Sequence, residues 1–161
     1  MIIGHRTTLN DVEQRLVKTV ASLRNQDNRK QNIPDRKIGS ADSLSLDIQG
    51  FGGELAFSKM FNVYPDLYVK VRLSKDDKGD VTWSGLCLDV KSTPREEGDL
   101  LVPIWKSSRY VDGYALMTGG FPSYTYRGMI QGEEVFQNRW IRNLGRGDTY
   151  VVPQGELKET I

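Results

Sequence analysis

A chain of 161 residues, 38% hydrophobic and 27% charged, is long enough for one domain with a real core and too polar for a membrane span. Its net charge is +1, so any polyanion must be met by a local patch and not by the molecule as a whole. A single cysteine and a single histidine, His5, exclude an internal disulfide and a multi-cysteine zinc site, and they disfavour Ser-His-Asp or Cys-His catalysis. Chemistry here would fall to carboxylates and lysines, a set that goes with a hard cation such as Mg²⁺. No apolar run reaches the roughly 18 residues of a membrane helix. The opening Met-Ile-Ile-Gly-His-Arg lacks the layout of a secretory signal, so a cytoplasmic protein with no membrane partner is expected.

Leu9, Val12, Leu16, Val20 and Leu23 recur at helical spacing and predict an amphipathic helix over residues 10–24, opened by a capping box of Asn10 and Glu13. Residues 25–48 are polar and broken by Pro34 and Gly39, which predicts a long loop or mobile arm. The expected organisation is therefore a helix and arm over 1–49 and a core over 50–161, in one compact domain. Eight basic side chains face four acidic ones in residues 1–40, which is either a nucleic-acid patch or a solvated basic helix.

Gly50, Gly52 and Gly53 lead into a helix predicted over 53–62, with Glu54, Phe57, Ser58 and Phe61 on one face. An acid on an apolar stripe costs free energy unless something compensates it. Glu54 is then either a helix-end carboxylate at the N-terminal dipole or a metal-site acid. Alternation of Leu67, Val69, Val71 and Leu73 with polar residues predicts a strand, and Asp76–Gly79 a turn. Further strands are predicted over 80–83, 86–92, 100–104, 114–118, 124–130 and 149–152, with a short helix over 133–140. The order predicts an α/β protein with a central mixed β-sheet flanked by helices.

Ser84-Gly85 suits a two-residue hairpin turn. With that turn, Trp83 faces Leu86, Thr82 faces Cys87, Val81 faces Leu88 and Asp80 faces Asp89. One face then carries Val81, Trp83, Leu86, Leu88 and Val90, all apolar, and the other Asp80, Thr82, Cys87, Asp89 and Lys91. A one-residue slip would scramble both sets, so the clean separation supports the register. Two carboxylates opposed at about 4.5–5.5 Å between Cβ atoms destabilise a sheet unless a proton, a base or a cation compensates. Lys91 supplies part of that balance.

Gly79-Asp80, then Asp89-Val90-Lys91 on the next strand, with Glu54 on an earlier helix, resembles the PD-(D/E)XK nuclease superfamily. Gly-Glu-Leu-Ala-Phe at 53–57, Asp-Val-Lys-Ser-Thr at 89–93 and Tyr-Arg-Gly-Met-Ile at 126–130 look like small phage-encoded or bacterial members. The resemblance covers residues 50–157 and departs from the name-giving motif at Gly79, where a proline is typical. It implies a restriction-endonuclease-like fold and Mg²⁺-dependent hydrolysis of phosphodiester bonds, with Mn²⁺ as a substitute, in the host cytoplasm if phage-encoded. It also implies Glu54, Asp80, Asp89 and Lys91 as the catalytic set, and Asp80, Asp89, Glu54 and the Val90 carbonyl as metal ligands. Tyr124, Tyr126 and Arg127 can stack on bases and hold phosphate, or be ordinary core and surface of a strand. Trp105, Lys106, Arg109, Arg139, Arg142 and Arg146 are comparable. The expected partner is nucleic acid, DNA before RNA, and cutting both strands of a duplex favours a homodimer. The alternative is a catalytically inactive nucleic-acid-binding or interaction protein that keeps the nuclease fold.

Overall fold

The computed structural model describes residues 2–31, 42–70, 79–108 and 111–161. After a short strand, β1 (Arg6–Thr8), the expected capping box opens α1 (Asp11–Lys30). Asn10 Oδ1 accepts from the Glu13 N–H at 2.9 Å, and Glu13 Oε2 accepts from the Asn10 N–H at 2.7 Å. Each bond satisfies a donor that the helix start would otherwise leave unpaired. The helix outruns its predicted end at residue 24, and a second, α2 (Ser43–Phe61), begins at the Asp42 cap. Much of the loop expected over 25–48 is therefore helix, and residues 32–41 lie outside the described part. The glycines misled the prediction. Gly50, Gly52 and Gly53 sit inside α2 and not ahead of it. A helical glycine costs about 1 kcal/mol relative to alanine, and here it permits close packing: a Cβ on Gly53 would lie 2.7 Å from Ser92 Cβ. α2 ends at Asn62 in the left-handed conformation, at φ 54°.

No strand forms over 67–70, although Leu67 and Val69 pack on the core. The remainder of that predicted strand, and Asp76 and Asp77, lie outside the described residues. The hairpin turn and the three pairs nearest to it are as predicted, but the ladder stops short of Asp80. β2 (Val81–Trp83) and β3 (Leu86–Thr93) pair Val81 with Leu88, Thr82 with Cys87 and Trp83 with Leu86. Ser84 and Gly85 both have positive φ, 52° and 78°, the requirement of the tight turn whose twist matches the strands. Then come β4 (Leu100–Pro103), a 3₁₀ turn over Ile104–Ser108, β5 (Gly113–Thr118) and β6 (Ser123–Gln131). The helix expected over 133–140 is split into α3 (Gly132–Val135) and a 3₁₀ turn over Asn138–Trp140. β7 (Ile141–Asn143) and β8 (Asp148–Val152) complete the strands.

Five strands form a mixed sheet in the order β1-β6-β5-β3-β2, with β3 and β5 parallel, and three form an antiparallel sheet, β4-β8-β7. Two cores follow from the alternation of side chains. Leu88, Val90, Ala115, Met117, Tyr124 and Tyr126 face the helices, meeting Val17, Val20, Phe51 and Phe57. Tyr114, Leu116 and Ile130 face the small sheet, meeting Leu100, Val102, Tyr150 and Val152. The protein is thus an α/β fold whose central mixed sheet carries the two long helices on one side and the short α3 with the small sheet on the other, and residues from both sides of position 49 share the core beneath the long helices. No helix among the described residues is long and apolar enough to cross a membrane.

The close approach of α2 to β3 sets a test. At an ordinary helix position Gly→Ala stabilises. Gly53→Ala should instead lower the unfolding free energy by about 1–3 kcal/mol, as overpacking does, in a urea titration of the purified protein. A stabilised variant would mean that α2 does not lie this close to Ser92.

Candidate functional site

The polar face of the hairpin enters the molecule at Asp89. β3 lies between β2 and β5, the small sheet and the turn after β4 cover the face that carries Asp89, and Asp89 is only 3% exposed. A buried carboxylate is tolerated when paired and hydrogen-bonded. Asp89 Oδ1 accepts from Lys91 Nζ at 3.0 Å, and Oδ2 accepts from Lys106 Nζ at 2.9 Å. Burial by itself would raise the Asp89 carboxyl. Lys91, then Lys106, outweigh it and hold the group well below the usual carboxylate range. Burial would likewise lower the Lys91 ammonium, but Asp89 and Asp80 outweigh it and keep Lys91 firmly charged.

Asp80 arrives by a different route from the one expected. The ladder ends at Val81 and Leu88, so Asp80 and Asp89 are not a cross-strand pair. Gly79, at φ 83°, turns the chain, and the Asp80 N–H donates to the Leu88 carbonyl at 2.8 Å. A proline cannot adopt that φ, and a Cβ at residue 79 would lie 2.8 Å from the Leu88 oxygen. This accounts for the glycine at position 79. The Asp80 carboxyl then takes a place that β2 no longer fills: Oδ2 accepts from the Val90 N–H at 2.7 Å. Val90 thus meets the group through its N–H. Burial, then the charges of Glu54 and Asp89, push the Asp80 carboxyl well above the ordinary carboxylate range.

Glu54 faces the same group from α2. Its Oε2 is buried without a hydrogen bond and lies 3.6 Å from Arg24 Nη1. Burial, opposed by Arg24 and reinforced by Asp89, brings its pKa up to about 7. Arg24 is itself fixed. It donates to the Asp66 and Tyr68 carbonyls at 2.7 and 2.9 Å and stacks on Phe51 with 4.7 Å to the ring centre.

The structure therefore brings Asp80, Asp89 and Lys91 into direct contact and sets Glu54 beside them. Their oxygen donors, and the orphaned Glu54 oxygen in particular, suit a hard cation. As the side chains stand, no group of three or more acidic, histidine or cysteine side chains among the described residues could hold a metal ion. Both Asp89 oxygens are engaged by ammonium groups, and Asp80 is engaged by Val90 and Asp89. Depressions of about 300 and 420 Å³ lie beside Lys91 and Asp80, the first lined by Gln49, Gly50 and Ser92, the second by Tyr64, Asp66 and Thr82. A wider one of about 480 Å³, walled by Leu86, Phe136 and Ile161, lies away from this group, and its Asp112 accepts from the Cys87 N–H.

Tyr124 and Tyr126 belong to the core. Both are fully buried, and their hydroxyls donate to the backbone carbonyls of Gln49 and Glu159. No base can stack on them in this conformation. Arg127 is bonded to Thr118 Oγ1 at 2.7 Å and Glu96 Oε2 at 2.6 Å, so it serves a surface ion pair and not the Asp89 group. Arg139 lies over Trp140, and Arg109 lies outside the described residues.

Over residues 1–160 the sequence matches DUF5843, a family of unknown function. The chain belongs to that family. No curated protein and no solved structure matches it. The matched span takes in α1 as well as the hairpin, so Arg24 lies within the shared region. Arg24 is the site residue that sequence reasoning missed. It was the last residue of the predicted helix, and nothing local marks a surface-looking arginine as the partner of a glutamate on another helix. Lys106 was singled out only as a substrate contact.

The charge arrangement predicts opposite effects for two isosteric changes. In chelator, Asp80→Asn should leave the protein as stable as before or more stable, by up to about 2 kcal/mol, because it removes a strained acid. Asp89→Asn should destabilise it by about 2–4 kcal/mol, because two half-buried ammonium groups lose their counter-charge. Urea unfolding of both variants reads the sign directly, and equal effects would contradict the arrangement.

Proposed function

We propose that this protein is a divalent-cation-dependent nuclease of the PD-(D/E)XK type, with a restriction-endonuclease-like core. One observation carries the reading: a buried acid of β3, a half-buried acid just ahead of β2 and a third, half-buried, from a helix are gathered around a strand lysine, at a cost in stability that a purely structural role does not require. Sites that keep such strained, pKa-shifted groups together are enriched in function. The order of the residues, Glu54, Asp80, Asp89-x-Lys91, resembles the superfamily pattern, and the pairing of β3 with β2 and with the parallel β5 supports the reading by giving Asp89 and Lys91 a rigid platform.

On this reading Asp80, Asp89 and Glu54 hold Mg²⁺ or Mn²⁺, with the Val90 backbone alongside. The bound ion supplies polarisation of a phosphoryl oxygen and acidification of a water. Lys91 orients the attacking water and stabilises the charge that develops on phosphorus-bound oxygen. Its fixed place on β3, in register with Leu116, makes that orientation reproducible. The substrate is nucleic acid, with DNA favoured, reaching the acids through the open depressions beside Asp80 and Lys91.

A second reading has its own support. Arg24 already pairs with Glu54, and Lys91 and Lys106 with Asp89, so the group can stand as a closed ionic network in a binding protein that performs no hydrolysis.

Incubation with supercoiled plasmid, linear duplex, single-stranded DNA, a branched junction and RNA, each with Mg²⁺, Mn²⁺ or chelator, separates the two. Metal-dependent cleavage should appear, and Lys91→Gln should reduce it on the order of 10²–10³-fold. Asp80→Asn should abolish it without lowering stability, so the loss is not one of folding. No cleavage of any substrate, with no divalent-ion binding, would leave the inactive binding protein in first place.

A further inference from the structure

β7 and β8 form a hairpin at one edge of the small sheet, pairing Ile141 with Tyr150, Arg142 with Thr149 and Asn143 with Asp148. Residues 142–148 are all exposed. Residues 138–148 hold three arginines, Arg139, Arg142 and Arg146, against one acid, Asp148. Two of the three are fixed in place without being neutralised. Arg142 Nη1 donates to the Arg139 and Ile141 carbonyls at 3.0 and 2.8 Å. Arg139 Nε donates to Gln137 Oε1 at 2.7 Å, and its guanidinium lies over the Trp140 ring, 4.2 Å from the centre. Among the described residues neither makes an ion pair, whereas Arg127 is matched by Glu96 and Arg24 by Glu54. Carbonyls, an amide and a ring hold a guanidinium still and leave its charge uncompensated.

The register also fixes where these charges stand. Ile141 packs on the core with Tyr150, so Arg142 stands on the opposite, outer face of the hairpin. Pro103 pairs with Thr149, and Thr149 with Arg142, which puts Arg142 level with the point where the chain leaves β4 for the turn Ile104–Ser108. From that turn Lys106 reaches Asp89. The exposed cations of α1, such as Arg15, lie on the far side of the central sheet.

We propose that Arg139 and Arg142 form a metal-independent phosphate grip for a nucleic-acid polymer, with the β7–β8 hairpin as its rigid arm. This inference rests on the nucleic-acid partner of the proposed function, needs no divalent ion, and holds for the hydrolytic and the binding reading alike. A guanidinium offers parallel N–H groups to two phosphate oxygens. The Arg142 bonds use Nη1, so its Nε and Nη2 edge serves the phosphate; the Arg139 bond uses Nε, so its two Nη groups do. Because both side chains are already ordered, little rotamer freedom is lost on binding. Charge on an edge strand also deters pairing with another chain, but any exposed cation does that, and a fixed guanidinium is not required for it.

The test is binding of a labelled short DNA duplex in chelator, by fluorescence anisotropy over a salt series, with thermal melts to establish folding. Arg139→Gln and Arg142→Gln should each weaken binding on the order of tenfold and each lower the salt slope by about one unit. Arg142→Lys, which keeps the charge and loses the fork, should keep the slope. Arg15→Gln should change neither quantity. If Arg139→Gln is unfolded for want of its stacking on Trp140, the two Arg142 variants decide. Unchanged affinity and slope in the folded glutamine variants would overturn the inference and leave the proposed function standing. A loss in Arg15→Gln as large as theirs would overturn it as well, because net charge alone would then account for binding. A wild type that binds no duplex in chelator would also overturn it, and the nuclease reading would then stand or fall on the cleavage assay.

Discussion

A charged carboxylate in the middle of an interior strand is the constraint around which the molecule is arranged. Asp89 lies between Leu88 and Val90, which point into the helix-side core, and its own side chain points to the opposite face. Solvent cannot screen it there, and an unpaired buried charge is among the most destabilising features a fold can contain. Lys91 from the same strand and Lys106 from the turn after β4 therefore converge on its two oxygens. The position of that turn is in turn fixed by β4, which pairs with β8 in the small sheet. One acid thus ties the central sheet to the second sheet through charge as well as through the apolar contacts of Leu100, Val102 and Tyr114.

Asp80 and Glu54 add strain to that arrangement where the backbone allows close approach. Gly79 turns the chain so that Asp80 caps the Val90 N–H, which the short strand β2 leaves without a main-chain partner. Gly53 lets α2 lie against Ser92, and the next residue, Glu54, is carried with it toward the same group. Close packing and acid placement have a common cause. The glycines that weaken α2 as an isolated helix are the ones that bring its glutamate within electrostatic range of β3.

Much of this was legible in the sequence wherever one local rule decided the outcome. The capping box at Asn10 and Glu13, the Ser84-Gly85 turn and the apolar face of the hairpin each depend on a few neighbouring residues, and each appears as read. The misreadings share a different origin. Glycines inside α2 resembled a boundary, because helix propensity is local while the packing that overrides it is not. Tyr124 and Tyr126 alternate with polar residues as a half-exposed strand would, yet α1 and α2 cover that face and bury both rings. Arg24 and Lys106 are far from Glu54 and Asp89 in sequence, and no periodicity records an ion pair made across elements.

The N-terminal helix gains significance from the same ionic network. Read alone it is a basic amphipathic element that could be an appendage. In the fold it covers the helix-side core with Val17, Val20 and Ala21 and delivers Arg24 to Glu54. Without Arg24, burial and the neighbouring acids would act on Glu54 unopposed by its nearest cation, and the carboxyl would move further from the charged state that a ligand to a cation requires. α1 is therefore part of the site's electrostatics, and the extension of the family match over residues 1–160 is what that dependence calls for. The acids can be kept close together because helix, strand and turn each contribute one cation.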